Sequence, residues 1–200
     1  MAPQHDFPAI TFAADWRQRG LHPRDLSDAV EQGQLHRAAP GVYVTPEVWI
    51  EQDLELALAC YRTGGVIALL TAAVRHGLCD ASPNAIDVIV RWEAVRRPPA
   101  GSLVSVHRSR NPEALALGVD QFDFHGLQWS MTSPARTIVD LYRIDTAAHR
   151  QHALAALATH LRDDGDERTL RQYAKAFDCW DALRPEVEAI NESYARGMKP

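Results

Sequence analysis

Four side chains between residues 22 and 45 could contact DNA, namely Arg24, Ser27, His36 and Arg37. Arg24 stands at the start of a predicted helix and Ser27 one turn later, so both can reach base edges or phosphate groups. His36 and Arg37 lie in a predicted hairpin, from which they can touch the DNA backbone or the minor groove. These residue types at this spacing predict a DNA-binding surface.

A helix and a hairpin are predicted to position these four side chains. The helix covers 22–32, with Pro23 at its first position and Gly33 as its stop. Two short strands then follow, at 34–38 and 41–45. This order is typical of the second half of a winged helix-turn-helix.

A shorter helix is predicted ahead of this pair, over residues 11–20. Thr11 is predicted to be its N-cap, and Gly20 is predicted to follow its C-cap. With this helix included, we predict a winged helix-turn-helix DNA-binding domain at 1–48.

The charge of this N-terminal segment is unfavourable for DNA. Residues 1–48 hold four arginines against six acids, a net of about −2. Asp25, Asp28 and Glu31 on the predicted recognition helix would repel phosphates. A winged helix retained only for protein contacts therefore stays open as an alternative. If the segment does bind DNA, so few basic contacts favour a dimer or cooperative binding to two half-sites.

Basic charge is concentrated elsewhere, between residues 91 and 110. Five arginines face only Glu93 there, a net of about +4, and they are Arg91, Arg96, Arg97, Arg108 and Arg110. Such a stretch can attract phosphate or an acidic partner, and we assign Arg96, Arg97, Arg108 and Arg110 to partner binding. The alternative is a solvated loop between strands.

The segment TSPARTIVDL at 132–141 begins a further helix sharply. Ser133 can cap it and Pro134 fits its first turn. Arg136 and Asp140 lie one turn apart. One interpretation is that the two side chains form an ion pair on the helix surface. The other is that Arg136 faces a binding partner.

Residues 49–200 are predicted to form an α+β domain. Apolar residues at helical spacing predict helices at 49–62 and 66–78, and alternating patterns then predict a mixed sheet of about four strands. A helical tail follows from Ser133 to Tyr194. Its predicted breaks are at 144–146, 163–167 and 184–185.

Two of these segments resemble a known family. GVIALLTAAVRHGL at 65–78 and MTSPARTIVDLYR at 131–143 are similar to the C-terminal domain of AbiEi-type antitoxins, and QGQLHRAAPGVYV at 32–44 to the end of their winged helix. The resemblance implies an antitoxin and transcriptional regulator of a type IV toxin–antitoxin or abortive-infection system. Such a protein represses its own operon and counteracts a nucleotidyltransferase toxin. Its implied partners are that toxin and an inverted-repeat operator, on which a homodimer is possible.

Enzyme motifs are not visible in the sequence, although an enzyme without a recognisable motif stays open as a rival. A D/E-x-K nuclease motif is absent because the only lysines are Lys175 and Lys199. Asp120 and Asp123, downstream of Gly101-Ser102, do not form the D-x-D of a nucleotidyltransferase and would face opposite sides of a strand. We therefore expect no catalytic activity.

Metal, cofactor and membrane binding are not expected either. The wide separation of the three cysteines argues against structural zinc and a disulfide framework. His149, His152 and His160 share a helix face but are too far apart along it for one metal ion. No apolar run reaches the length of a membrane span, and no signal peptide is visible. A cytoplasmic protein is expected.

Overall fold

The computed structural model describes residues 6–94, 103–144, 147–163 and 165–197. Its contacts divide the chain into two compact units. The smaller unit comprises Met1–Leu58 with Asp123–Leu127, and the larger comprises Ala59–Phe122 with Gln128–Pro200. Each unit has one sheet, so the prediction of a mixed α+β architecture is confirmed.

The smaller unit combines short helices with a three-stranded antiparallel sheet of order β1-β3-β2. A small core of Trp16, Leu26, Ala29 and Leu35 holds the helices together. The elements are β1 (Ile10–Phe12), α1 (Ala13–Gln18), α2 (Pro23–Glu31), β2 (His36–Ala39), β3 (Val42–Val44) and α3 (Pro46–Trp49).

The prediction that the first helix begins at Thr11 is wrong. Thr11 lies in β1, where it pairs with Tyr43, and the helix begins only at Ala13. A threonine before an apolar residue is compatible with both a cap and a strand, and the partner strand β3 decides in favour of the strand. The predicted end is confirmed, because Gly20 follows the C-cap with a φ of +75°.

The larger unit is built on a five-stranded mixed sheet of order β6-β5-β4-β8-β7. Pairs β5–β6 and β4–β8 are parallel, whereas β4–β5 is antiparallel. The strands are β4 (Val66–Ile67), β5 (Ile86–Arg91), β6 (Val104–Ser109), β7 (Val119–Phe124) and β8 (Leu127–Thr132).

Helices supply the rest of the larger unit. The boundary between the units falls within α4 (Leu54–Thr63). The others are α5 (Leu69–Arg75), a 3-10 turn (Pro112–Leu115), α6 (Pro134–Arg143), α7 (Ala147–Arg162), α8 (Glu167–Ala176) and α9 (Trp180–Ala195). Buried apolar residues of α5 to α9 form one continuous core with Ile89 of the sheet.

The predicted helix at 66–78 is wrong at its beginning. Val66 and Ile67 form the central strand β4, and the helix α5 starts at Leu69. Both residues are β-branched and buried, so they suit a central strand with a neighbouring strand on each side. Helical spacing in an apolar run cannot distinguish these two cases.

The predicted break at 184–185 is also wrong. Pro185 lies inside α9, and the chain breaks instead between α8 and α9, where Asp178 has a φ of +56°. Proline is usually a helix breaker because it lacks the amide hydrogen, but this helix continues through it to Ala195.

Candidate functional site

The exposed face of α2 presents two of the four predicted DNA contacts. Arg24 and Ser27 are both exposed. The helix start is fixed by a reciprocal cap: the His22 ring accepts the Arg24 amide at 3.1 Å, and the Asp25 carboxylate accepts the His22 amide at 3.0 Å. Arg24 therefore projects from a well-defined first turn.

The hairpin presents the other two predicted contacts differently. Arg37 is exposed near the middle of β2, opposite Tyr43 of β3. His36 is half-buried, and its ring stacks on Trp49 with centroids 5.0 Å apart. Arg37 is available to a ligand, whereas His36 is partly committed to packing against α3.

Acidic side chains share the surface of α2 with Arg24. Asp28 and Glu31 are exposed, and Asp28 lies one turn after Arg24, where side chains of a helix are neighbours. The positive charge of Arg24 is therefore largely offset, which weakens this helix as a phosphate-binding element.

The carboxyl ends of β5 and β6 carry the basic stretch. Because the two strands are parallel, Arg91 and Ser109 lie side by side at this end. The Arg108 guanidinium donates from Nη1 to the carbonyl oxygens of Trp92 and Ala94, at 2.7 and 2.8 Å. The Arg110 guanidinium lies 4.0 Å from the centre of the Trp92 ring. Arg96 and Arg97 lie outside the described residues.

Sequence reasoning missed the aromatic member of this group. Trp92 is 46% exposed. Its backbone amide donates to the Ser109 carbonyl at the end of β6, and its ring contacts the Arg110 guanidinium. Leu103, just before β6, is 72% exposed. A tryptophan directly after a strand within a run of arginines was the signal that could have found it.

The partner-facing interpretation of Arg136 is wrong, and so is the alternative of a surface ion pair. Arg136 is 0% exposed. Its Nε lies 3.0 Å from Asp140 Oδ2, its Nη2 donates to the Ala114 carbonyl at 3.1 Å, and its Nη1 donates to the Leu117 carbonyl. The guanidinium also lies 3.9 Å from the Phe177 ring centre. Arg136 ties α6 to the turn before β7 from within the core.

A cavity of about 170 Å³ opens beside this pair in the larger unit. Its walls include Ile89, His107, Arg136, Asp140 and Arg143. Burial raises the pKa of the Asp140 carboxyl, and the neighbouring Arg136 guanidinium opposes that rise. The cavity wall thus carries the Arg136–Asp140 ion pair rather than an unpaired charge.

His107, which lines this cavity, also contacts Ser105 and Asp87, but the three do not form a catalytic triad. His107 Nε2 lies 2.9 Å from Asp87 Oδ1 and 3.2 Å from Ser105 Oγ. A relay needs the carboxylate and the hydroxyl on different ring nitrogens, so that one orients the ring and the other gives up its proton. Here both compete for the same nitrogen.

A model of the AbiEi antitoxin C-terminal domain matches residues 66–192, more than half of the chain. The chain belongs to this family. Its role is accordingly that of an antitoxin in a toxin–antitoxin system. The matched range includes Trp92 with its neighbouring arginines, the Arg136–Asp140 ion pair and the cavity. It includes neither α2 nor the hairpin of the smaller unit.

A solved structure agrees with this AbiEi family fold. The crystal structure of the RV2827C protein from Mycobacterium tuberculosis is similar at a TM-score of 0.54 and 18% identity, over 92% of this chain and 75% of that one. At this identity the likeness concerns the fold alone. No curated protein matches the chain.

Three further features of this AbiEi family protein concern metal ions, a buried histidine and membranes. Within the described ranges, no group of three or more His, Cys, Asp and Glu residues could hold a metal ion. His160, one of the three histidines singled out above, is buried, and that burial lowers its pKa. No helix in the described part of the chain has the length and apolar character to cross a membrane.

Proposed function

We propose that this protein is the antitoxin and autoregulatory repressor of a type IV toxin–antitoxin system. In this proposal a winged helix-turn-helix at 1–48 binds an inverted-repeat operator, and the α+β domain at 49–200 counteracts a nucleotidyltransferase toxin. The observation that carries it is the match of the AbiEi antitoxin domain to residues 66–192.

DNA binding is supported by the exposed contacts of α2 and the hairpin. Arg24, Ser27 and Arg37 all face solvent. Helix, strand and strand follow one another within 23 to 44, the order in which a winged helix presents its recognition helix and its wing. Because each chain offers so few cations, a homodimer on two half-sites is part of the proposal.

Mobility shifts with the DNA upstream of the gene test the repressor function, at several salt concentrations. Arg24→Ala or Arg37→Ala should weaken binding and reduce the salt slope by about one unit for each lost phosphate contact. Arg184→Ala is the matched control, because Arg184 is exposed on α9 in the larger unit. Equal affinity for operator and scrambled DNA at moderate salt would remove the repressor function.

Co-expression with the cognate nucleotidyltransferase tests the antitoxin function. The double change Arg108→Glu and Arg110→Glu reverses two exposed charges beside Trp92, so we expect it to reduce rescue if the toxin surface is acidic. Arg184→Glu is again the control. Full rescue by the double variant, at an unchanged level of folded protein, would exclude this surface from neutralisation.

A second candidate is an antitoxin that binds protein partners but not DNA. The exposed Asp28 and Glu31 on α2 favour it, because they repel phosphates. The two candidates differ in one measurement: the second predicts full rescue from the toxin together with no operator-specific shift.

A further inference from the structure

The cavity of the larger unit lies at the carboxyl end of the parallel pair β5–β6. His107 and Ser109, the last residue of β6, line it from the sheet, and Arg143 lines it from the last turn of α6. Side chains alternate along a strand, so the intervening Arg108 points the other way, and its guanidinium donates to the Trp92 carbonyl. The carboxyl end of parallel strands is a common place for ligands in sheets of this kind.

Two side chains of the cavity wall have hydrogen-bond donors that the described part of the protein does not use. The Arg143 guanidinium lies 3.7 Å from Asp140 Oδ1, which is too long for a hydrogen bond, and it donates to no other described residue. Ser109 Oγ accepts the Asn111 amide at 3.2 Å, which leaves its hydroxyl proton to donate elsewhere. Both donors are therefore available to a ligand.

The imidazole ring of His107 offers the cavity a third polar atom. Its contacts to Asp87, at 2.9 Å, and to Ser105, at 3.2 Å, both use Nε2. Among the described residues, Nδ1 has no such contact. A neutral imidazole with its proton on Nε2 accepts at Nδ1, whereas a protonated one donates there. A ligand that both donates and accepts suits either form.

The charges of the cavity wall favour an anion. Two guanidinium groups share one carboxylate, because Arg136 lies 3.0 Å and Arg143 lies 3.7 Å from the oxygens of Asp140. This set of three side chains has one positive charge in excess. The excess charge belongs to the partly exposed Arg143, so an anion can approach it from solvent.

We propose that this cavity binds a phosphate group, either as inorganic phosphate or as the terminal phosphate of a nucleotide. Arg143 and Ser109 donate to its oxygens. In its monoanionic form the group also has a hydroxyl, so it can donate to Nδ1 of His107 or accept from it. A carboxylate has only two oxygens and no proton to donate, which makes it a poorer fit.

The size of the cavity agrees with a ligand group of this kind. Its volume is about 170 Å³. Pockets for whole organic ligands measure roughly 300–1,000 Å³, so the base and sugar of a nucleotide would lie outside. The phosphate site goes beyond the proposed function and does not depend on it, because neither operator binding nor rescue from a toxin enters its derivation.

Isothermal titration calorimetry of the full chain tests the site, with inorganic phosphate and with adenosine triphosphate at constant ionic strength. Saturable binding of inorganic phosphate is expected if the free ion is the ligand. Saturable binding of adenosine triphosphate that is tighter than that of phosphate identifies a nucleotide instead.

Variants of Arg143 connect the binding to this cavity. Arg143→Gln should raise the Kd about tenfold or more, because it removes a charge-assisted hydrogen bond. Arg143→Lys keeps the charge without the planar fork, so its Kd should lie between those two values. Arg184→Gln, at an exposed arginine of α9, is the matched control and should leave the Kd unchanged. If Arg143→Gln fails to fold, Ser109→Ala takes its place and should raise the Kd about fivefold.

Three results would overturn the proposal. The first is no saturable binding of either probe up to about 10 mM, well above a millimolar Kd. The second is equal affinity of wild type and every folded variant at Arg143 and Ser109, which would place the binding elsewhere on the protein. The third is acetate that binds as tightly as phosphate, which would make the site one for carboxylates.

Discussion

Replacing Arg136 with methionine is expected to destabilise the larger unit by about 3–5 kcal/mol, the cost of removing one partner from a buried ion pair. Methionine preserves most of the apolar stem but loses the contact to Asp140 at 3.0 Å and the bonds to the Ala114 and Leu117 carbonyls. The Asp140 carboxyl would stay buried, and among the described residues its remaining ion-pair partner would be the more distant Arg143, at 3.7 Å.

The stability that Arg136→Met loses relative to wild type should depend on pH. Burial raises the pKa of Asp140 and Arg136 lowers it, so removing Arg136 raises that pKa further. A carboxyl whose folded pKa exceeds its unfolded value of about 3.9 stabilises the fold at low pH, and this stability is lost as the pH rises through the folded pKa. Arg136→Met should therefore lose more stability at pH 8 than at pH 5.

Urea unfolding followed by circular dichroism at both pH values measures these differences. The matched control is Arg184→Met, because Arg184 and Glu188 have the same spacing of four residues but lie 54% and 65% exposed. That pair contributes less than about 0.5 kcal/mol. If the free energy of unfolding of Arg136→Met lies within about 1 kcal/mol of the wild-type value at pH 8, the argument from burial is refuted.

Three further changes follow from individual contacts. Burial lowers the pKa of His160 below its unfolded value of about 6.5, so urea midpoints should fall as the pH drops below 6.5, and His160→Gln should flatten that dependence. Gly65→Ala should cost about 1–3 kcal/mol in urea unfolding, because its Cβ would lie 2.4 Å from Val88 Cγ1 and 2.5 Å from the Ile89 carbonyl. Tyr142→Phe removes the bond from its hydroxyl to the Ala182 carbonyl, at 2.7 Å, and should lower stability by about 1 kcal/mol in the same assay.

Local patterns predicted the elements whose geometry is decided within a few residues. Pro23 and Gly33 bound α2 as predicted, because a fixed φ suits the first turn and a φ of +71° suits glycine. The turn between β7 and β8 is also decided locally, because His125 and Gly126 both have positive φ there and glycine adopts such a φ without strain. Such signals need no knowledge of distant partners.

Features decided by distant partners were not predictable from the sequence. The spacing of Arg136 and Asp140 is that of an ordinary surface pair, and only packing under Phe177 and against Ala114 makes it a buried one. Trp92 likewise joins Arg108 and Arg110 only because β5 and β6 are parallel neighbours. Sequence spacing reports what one element can present, whereas burial depends on what covers it.

The central position of β4 has a consequence for the order of folding. On one side Ile67 pairs with Val88 of β5, which is close in sequence. On the other side it pairs with Met131 of β8, which is far along the chain. Contacts between such distant positions form late, because closing a long loop costs entropy before the contact repays it. During synthesis, the nascent β4–β5 pair must remain one-sided until β8 has left the ribosome. Until then the buried, β-branched strand β4 has one unpaired edge, and such an edge can pair with another chain.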